Sequence, residues 1–359
     1  MNRFRLCLPL VLGFVWVSVA SAQTVGPIDW EKAREYFQRD KRGEALSGEE
    51  RAYLDRAKAA RRTGAGTPGR VTGGVQRPMP EGLVPLCDLK AADRYEEEDG
   101  GLYGGGLNVP PAELQRAAEA ALARVQPLNA GGEADAEGII GLVSISMSNA
   151  TMEFSTFKRI ADADARKSGQ VRIVDCAQGG QAMAEWVPED ARPWQVAMQR
   201  LEQAGVSPKQ VQVAWIKLAN KAPSGSMAEH LEKLEADTRQ VIANAKQRFP
   251  NLRVAYLGSR IWAGNAKGNL NPEPYAYESA FAVRHLIQRQ DLQKEPLLLW
   301  GPYLWAAGEE GRQADELVYR PEDFNSDGVH PSESGRAKVA GLLLEFFAED
   351  PLAKGWFAR

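Results

Sequence analysis

From Glu81 onward, short apolar runs alternate with longer stretches in which apolar residues recur every three or four positions. The runs 142–147, 171–175, 211–218, 253–257 and 296–300 are brief, nearly continuous and rich in Val, Ile and Leu, which predicts buried strands. Between and around them, 110–125, 154–167, 193–204, 227–248, 275–289 and 332–349 carry helical spacing. Strands separated by helices of this length need crossover connections. The pattern therefore predicts a parallel sheet covered on both faces, a three-layer α/β/α domain.

Ahead of that domain the rhythm differs. Trp30, Ala33, Tyr36 and Phe37 form one helical stripe, which Gly43 breaks. Ser47-Gly48-Glu49-Glu50 has the form of a capping box and opens a second helix carrying Tyr53, Leu54 and Ala57. The following stretch is rich in Gly, Thr, Arg and Pro with few apolar residues, as a linker is. The expected organisation is a leader at 1–22, a helical appendage at 23–62, a flexible linker at 63–82 and the α/β domain at 83–359. No internal repeat interrupts it.

The leader comes from the first residues. Asn2-Arg3-Phe4-Arg5 is basic, 6–19 is apolar, and Ala20-Ser21-Ala22 has the small-x-small form of a signal-peptidase site. The apolar part is short for a membrane span, so cleavage and a secreted or periplasmic protein are expected, with an uncleaved anchor as the alternative. Cleavage removes Cys7 and leaves Cys87 and Cys176, either as one disulfide or as two free thiols. A formal charge of -3 and a pI near 5.9 give no electrostatic footprint for nucleic acid.

Candidate chemistry gathers where strands end, because ligands of open α/β sheets sit at the carboxyl edge. The first strand runs into Ser148-Asn149-Ala150-Thr151, so Ser148 is placed either as a helix N-cap or as a nucleophile. The second ends in Asp175-Cys176-Ala177-Gln178-Gly179-Gly180, where glycine permits close approach of backbone N–H groups to a ligand. The third ends in Leu218-Ala219-Asn220, offering an amide donor. Before the last helix stands Asp327-Gly328-Val329-His330-Pro331, in which the aspartate is spaced to hold the imidazole by one nitrogen and leave the other free.

With these residues in place, the segment from about Glu137 to the end resembles the SGNH, or GDSL-like, hydrolase superfamily, most clearly in DGVHPSESGRAKVAGLL. The resemblance implies a flavodoxin-like sheet and a serine esterase. It assigns Ser148 as nucleophile, His330 as base and Asp327 as its orienter. The Ser148 and Gly180 N–H groups and the Asn220 side chain would form an oxyanion hole. Two blocks depart from the family pattern: Gly-Asp-Ser is here Ser146-Met147-Ser148, and Gly-x-Asn-Asp is Leu218-Ala219-Asn220-Lys221. Ser146 lies within the strand, whereas Ser148 lies at its end. Those departures motivate an alternative, a non-catalytic carbohydrate-binding protein on the same scaffold.

Family tendency and secretion point to a short acyl ester, acetyl on a carbohydrate, as the small-molecule partner. Trp262, Tyr275 and Tyr277 are expected near loops where they stack on sugar, and Tyr103 and Asn108 on a glycine loop that folds over the site. Glu278 and Arg284 are expected in a surface or structural role, and His230 and His285 as surface or packing histidines. No cofactor is expected. Asp323-Phe324-Asn325-Ser326-Asp327-Gly328 begins like a calcium loop, but its twelfth position is Ser334 rather than glutamate, so no metal is expected. Asn149-Ala150-Thr151 fits a glycosylation acceptor, yet a glycan there would obstruct the nucleophile. The glycines at 100–106 follow no strand and make no nucleotide site.

Overall fold

The computed structural model describes residues 30–41, 44–63, 76–306 and 311–358. The chain divides into two compact units, Met1–Val71 and Thr72–Arg359. The expected leader lies outside the described residues, as does most of the linker.

The first unit holds α1 (Trp30–Lys41) and α2 (Gly48–Thr63). The capping box forms as its sequence dictates: Ser47 Oγ accepts from the Glu50 N–H at 3.2 Å, and Glu50 Oε2 accepts from the Ser47 N–H at 2.8 Å. Tyr36 meets Tyr53 edge to face at 5.9 Å, and Arg39 pairs with Glu50 at 2.7 Å. Asp40 of α1 also pairs with Arg51 and Lys58 of α2, at 3.1 and 3.6 Å.

In the second unit a short ribbon of β1 (Arg94–Tyr95) and β2 (Glu98–Asp99) precedes α3 (Ala112–Leu122). Then follow β3 (Ile140–Ser146), α4 (Ser148–Ala163), β4 (Val171–Asp175), α5 (Met183–Trp186), α6 (Arg192–Gln203) and β5 (Val211–Lys217). The chain continues through α7 (Met227–Arg248), β6 (Val254–Leu257), α8 (Tyr275–Gln288), β7 (Leu297–Trp300), α9 (Glu333–Glu349) and α10 (Lys354–Phe357).

The five longer strands pair in parallel in the order β4-β3-β5-β6-β7. Renumbered within the sheet this is 2-1-3-4-5, the flavodoxin-like order, and its winding reverses between β3 and β5. Strand alternation divides the two covering layers. Trp215 of β5 stacks on Phe154 of α4 at 5.4 Å, and Phe157 of α4 meets Phe347 of α9 at 5.5 Å. The next residue, Ile216, faces the opposite way, beside Leu234 of α7 and Val283 of α8. β3 and β5 are buried along their whole length, so they read as continuous apolar runs rather than alternating ones.

Residues 76–110 lie along this domain and are held mainly by α8. Arg77 pairs with Glu278, Tyr95 OH donates to Glu278 at 3.1 Å, and Arg284 pairs with Asp99 at 3.0 Å and closely with Glu98. His230 Nδ1 reaches Glu278 at 3.0 Å, while His285 bridges Glu235 and Glu98 at 2.8 Å each. Hydrogen bonds to those two carboxylates hold the His285 pKa above its usual value. Glu278, Arg284, His230 and His285 are therefore structural. Both histidines are buried, so the surface alternative is excluded for them. Cys87 and Cys176 stand as free thiols, and burial pushes each up to about 12, leaving them protonated.

Candidate active site

Four strands deliver one residue each to a common cleft. β3 ends at Ser146 and α4 begins at Ser148, with Met147 as N-cap, so no loop separates strand from helix. The small polar residues 148–151 that read as a turn are already the first helical turn. This places Ser148 at the reversal of the sheet winding, where the crevice of such folds opens. Ser148 is not a cap: its hydroxyl lies 2.7 Å from His330 Nε2.

His330 is fixed from its other side. Its Nδ1 is 2.5 Å from Asp327 Oδ2, while Asp327 Oδ1 accepts from the N–H groups of Val329 and His330 at 3.0 Å each. Gly328 between them has φ +70° and no room for a Cβ, which would meet the Asn265 carbonyl. Partial burial works to raise the Asp327 pKa, but the hydrogen bonds from the His330 ring and from those two N–H groups outweigh it and hold the carboxyl below its usual range. An ionised carboxylate only accepts, so Nδ1 carries the proton and Nε2 is left as the acceptor facing Ser148. Asn149 joins the loop to α4 by donating to the Val329 carbonyl at 2.8 Å. It is buried and so engaged, which removes it as a glycan acceptor.

The cleft has a volume of about 220 Å³, and Ser148, Gly180, Asn220, Arg260, Asn271 and His330 are among the residues that line it. Gly180 adopts φ +80°, a conformation only glycine takes without strain. Lys221 donates to the Gly180 carbonyl at 2.9 Å and so braces the glycine loop against the end of β5. Asn220 is buried, and its Nδ2 has no hydrogen-bond partner among the described residues. A buried donor left free in a cleft beside an activated hydroxyl is placed to receive a developing negative charge.

Ser146 is different in kind. It is wholly buried in β3, and its hydroxyl donates to the Lys217 carbonyl. Under it lies a buried contact between Lys217 and Glu153, in which burial lowers the lysine to about 8 against the opposing pull of the glutamate.

The five residues expected to bind substrate do not reach the cleft, and that expectation is corrected. Tyr275 and Tyr277 open α8 and are buried; Tyr275 lies beneath the Arg77 guanidinium, and Tyr277 is packed among Tyr95, Phe281 and Trp305. The helix begins at Tyr275 as its spacing predicts, and its first turn faces the core, so neither ring is available to a ligand. Trp262 packs on Phe324 at 6.0 Å. Tyr103 and Asn108 line a separate cavity at the end of β7, and the Asn108 amide is spent on Leu102 and Cys87. The calcium reading also fails on side-chain commitments: Asp323 is tied to Lys338 at 2.5 Å, and Asp327 to His330.

Arg260 and Asn271 had not been singled out from sequence, and Asn149 only as a glycosylation acceptor. Arg260 was within reach, since Gly258-Ser259-Arg260 directly follows an apolar strand at the same carboxyl edge.

No family model matches the chain, and no curated protein does. Three solved structures are similar in fold. A candidate SGNH hydrolase from Slackia heliotrinireducens is 14% identical, with 58% of this chain and 99% of that one covered at a TM-score of 0.34. A candidate acylhydrolase from Bacteroides fragilis is 14% identical, covering 66% and 97% at 0.36. The periplasmic domain of a lipopolysaccharide acetyltransferase from Salmonella Paratyphi A is 11% identical, covering 66% and 96% at 0.33. At such values the likeness adds nothing to what the geometry says about chemistry.

Proposed function

We propose that this chain is a serine esterase that cleaves a short acyl ester, exported to the periplasm or beyond by its basic and apolar leader. The reading rests on one juxtaposition: Ser148, His330 and Asp327 in hydrogen-bonded series at 2.7 and 2.5 Å, beside the free Asn220 amide. His330 Nε2 takes the Ser148 proton as Oγ attacks the ester carbonyl. The oxyanion of the tetrahedral intermediate is received by Asn220 Nδ2 and by the N–H groups of Ser148 and Gly180. Collapse expels the alcohol, protonated by His330, and leaves an acyl group on Ser148. Water, deprotonated by His330, then releases the acid. Asp327 keeps the imidazole in the right tautomer and offsets its charge when protonated.

The size of the cleft supports a small acyl group. The carbohydrate preference loses its structural support, because the aromatic residues assigned to sugar stacking are packed elsewhere. The non-catalytic binding alternative rests on the altered serine and Gly-x-Asn-Asp blocks, and turnover decides between it and the esterase.

The test is turnover of p-nitrophenyl acetate. Ser148→Ala is expected to lower kcat by about 10⁴-fold or more, whereas Ser146→Ala, which removes a hydroxyl bonded within β3, keeps appreciable activity. An active Ser148→Ala enzyme, or an inactive wild type, overturns the proposal.

A further inference from the structure

Among the described residues, Arg260 is the only arginine lining the catalytic cleft, and it is 1% exposed. Among the described residues no carboxylate stands within ion-pairing distance of its guanidinium. Its Nε donates to Asn271 Oδ1 at 3.2 Å, and its Nη1 has no partner. The two acidic groups whose charge it feels are held by other partners, although Glu153 Oε1 makes no hydrogen bond. Glu153 contacts Lys217, and Glu273 accepts from the Ala263 and Tyr277 N–H groups and from Trp305 Nε1, each at 2.8 Å. Burial also pushes the Glu273 carboxyl up to about 7, which weakens it as a counter-charge.

A buried cation without a counter-ion is costly. Here the cost is maintained by deliberate local structure. Asn271 holds φ +52°, a left-handed conformation that non-glycine residues adopt rarely. In that conformation it receives Arg260 through Oδ1 and donates Nδ2 to the Asn220 carbonyl at 3.4 Å. Through Asn271 the guanidinium is thereby linked to Asn220, the proposed oxyanion donor. Its arrival from β6, next to β5 in the sheet, puts it on the same wall of the cleft as Asn220.

We propose that Arg260 is an anion-recognition residue of the cleft, so that the preferred substrate is a small ester carrying a carboxylate close to its scissile carbonyl. The proposal rests on the esterase reading of the site and narrows its substrate class. The carboxylate can belong to the acyl half, as in a half-ester of a dicarboxylic acid, or to the alcohol half, as in an acylated hydroxy acid. Either supplies the charge-assisted bonds that the free guanidinium N–H group lacks in the protein alone.

The experiment compares kcat/KM for ethyl hydrogen succinate (carboxylate on the acyl side), acetoxyacetate (carboxylate on the alcohol side) and ethyl pentanoate (neutral). The full chain is used as wild type, Arg260→Lys and Arg260→Met. In wild type, one carboxylate ester is expected to exceed the neutral ester by about ten- to a hundredfold, the range that a hydrogen bond to a charged group supports. In Arg260→Met that ratio falls toward one, and in Arg260→Lys part of it survives. The identity of the favoured ester assigns the carboxylate to its half of the substrate.

A wild type that prefers the neutral ester overturns the proposal. So does an Arg260→Met enzyme slowed on all three esters in proportion, since Arg260 would then serve only to steady Asn271 and Asn220. A parallel arm separates this failure from that of the esterase reading. Succinate and glycolate are titrated into Ser148→Ala while the melting temperature is followed, with and without Arg260→Met. Arg260-dependent stabilisation without turnover of any ester keeps the anion site and removes the esterase. Turnover without charge preference or stabilisation keeps the esterase and removes the anion site. If Arg260→Met does not fold, the wild-type preference and the Arg260→Lys ratio decide.

Discussion

Replacing Asp327 with asparagine tests the site at the atom that sets its proton inventory. The amide is the same size, and its oxygen can still accept from the Val329 and His330 N–H groups, so the turn around Gly328 is retained. What changes is the 2.5 Å contact to His330 Nδ1. An NH₂ group there donates rather than accepts, so Nδ1 must be the bare nitrogen and Nε2 must carry the hydrogen. Nε2 then faces Ser148 as a donor and cannot take its proton. In serine proteases with a Ser-His-Asp triad the same change costs about 10⁴-fold in kcat. The side chain of Asp327 is 47% exposed, so water supplies part of the imidazolium stabilisation, and a loss of about 10²- to 10³-fold is expected. The assay is kcat for p-nitrophenyl acetate at pH 7, with a melting curve to show that the fold survives. A well-folded Asp327→Asn enzyme that keeps a third or more of wild-type kcat would refute the tautomer argument.

Asn220→Ala removes the unpartnered donor of the cleft and is expected to lower kcat by about 10²- to 10³-fold with KM little changed. A rise in KM alone would make Asn220 a ground-state contact instead. Glu273 carries a pH prediction: its folded pKa near 7 lies above the ordinary 4.5, so the folded state binds the extra proton between those values. Stability from this group is complete below about pH 4.5 and is lost as pH rises toward 7, by about 3 kcal/mol at most. Denaturant unfolding of wild type and Glu273→Gln at pH 5, 6 and 7 checks it, and a difference between the two that does not change with pH contradicts it. Chelation is expected to leave the melting temperature unchanged, because Asp323 and Asp327 already have cationic or imidazole partners. A drop with EDTA that calcium reverses would show that the 323–328 loop is a metal site.

The sheet was legible because β3, β4, β5, β6 and β7 are short apolar runs between clear helical stripes, and burial of a strand on both faces leaves that mark in composition. The start of α4 was less legible. Ser148-Asn149-Ala150-Thr151 has the residues of a turn, and only the tertiary bond from Asn149 to Val329 shows why a helix begins there. Tyr275 and Tyr277 were misplaced for another reason: the helix was expected from Tyr275, but that its first turn is buried follows from Arg77, Tyr95 and Trp305 packing on it across the fold. The serine and histidine blocks could be brought together because their roles constrain one another. Arg260 had no such partner in sequence: its meaning comes from what does not touch it, and that is visible only in three dimensions. Glu278, Arg77 and His230 are likewise polar residues whose burial depends on meeting one another across the fold.

The clasp between α8 and the segment before it has a consequence for synthesis on the ribosome. Arg77 waits 201 positions for Glu278, and Asp99 waits 185 for Arg284. At ordinary elongation rates that is an interval of about 10 to 40 s in which the segment has left the ribosome and its partners have not. An apolar strap would spend that interval as a sticky surface. This one instead offers Arg77, Glu98 and Asp99 to water, and their charges are withdrawn only when α8 arrives to neutralise them. The polarity of the clasp thus keeps an early-made segment soluble until the last third of the domain exists.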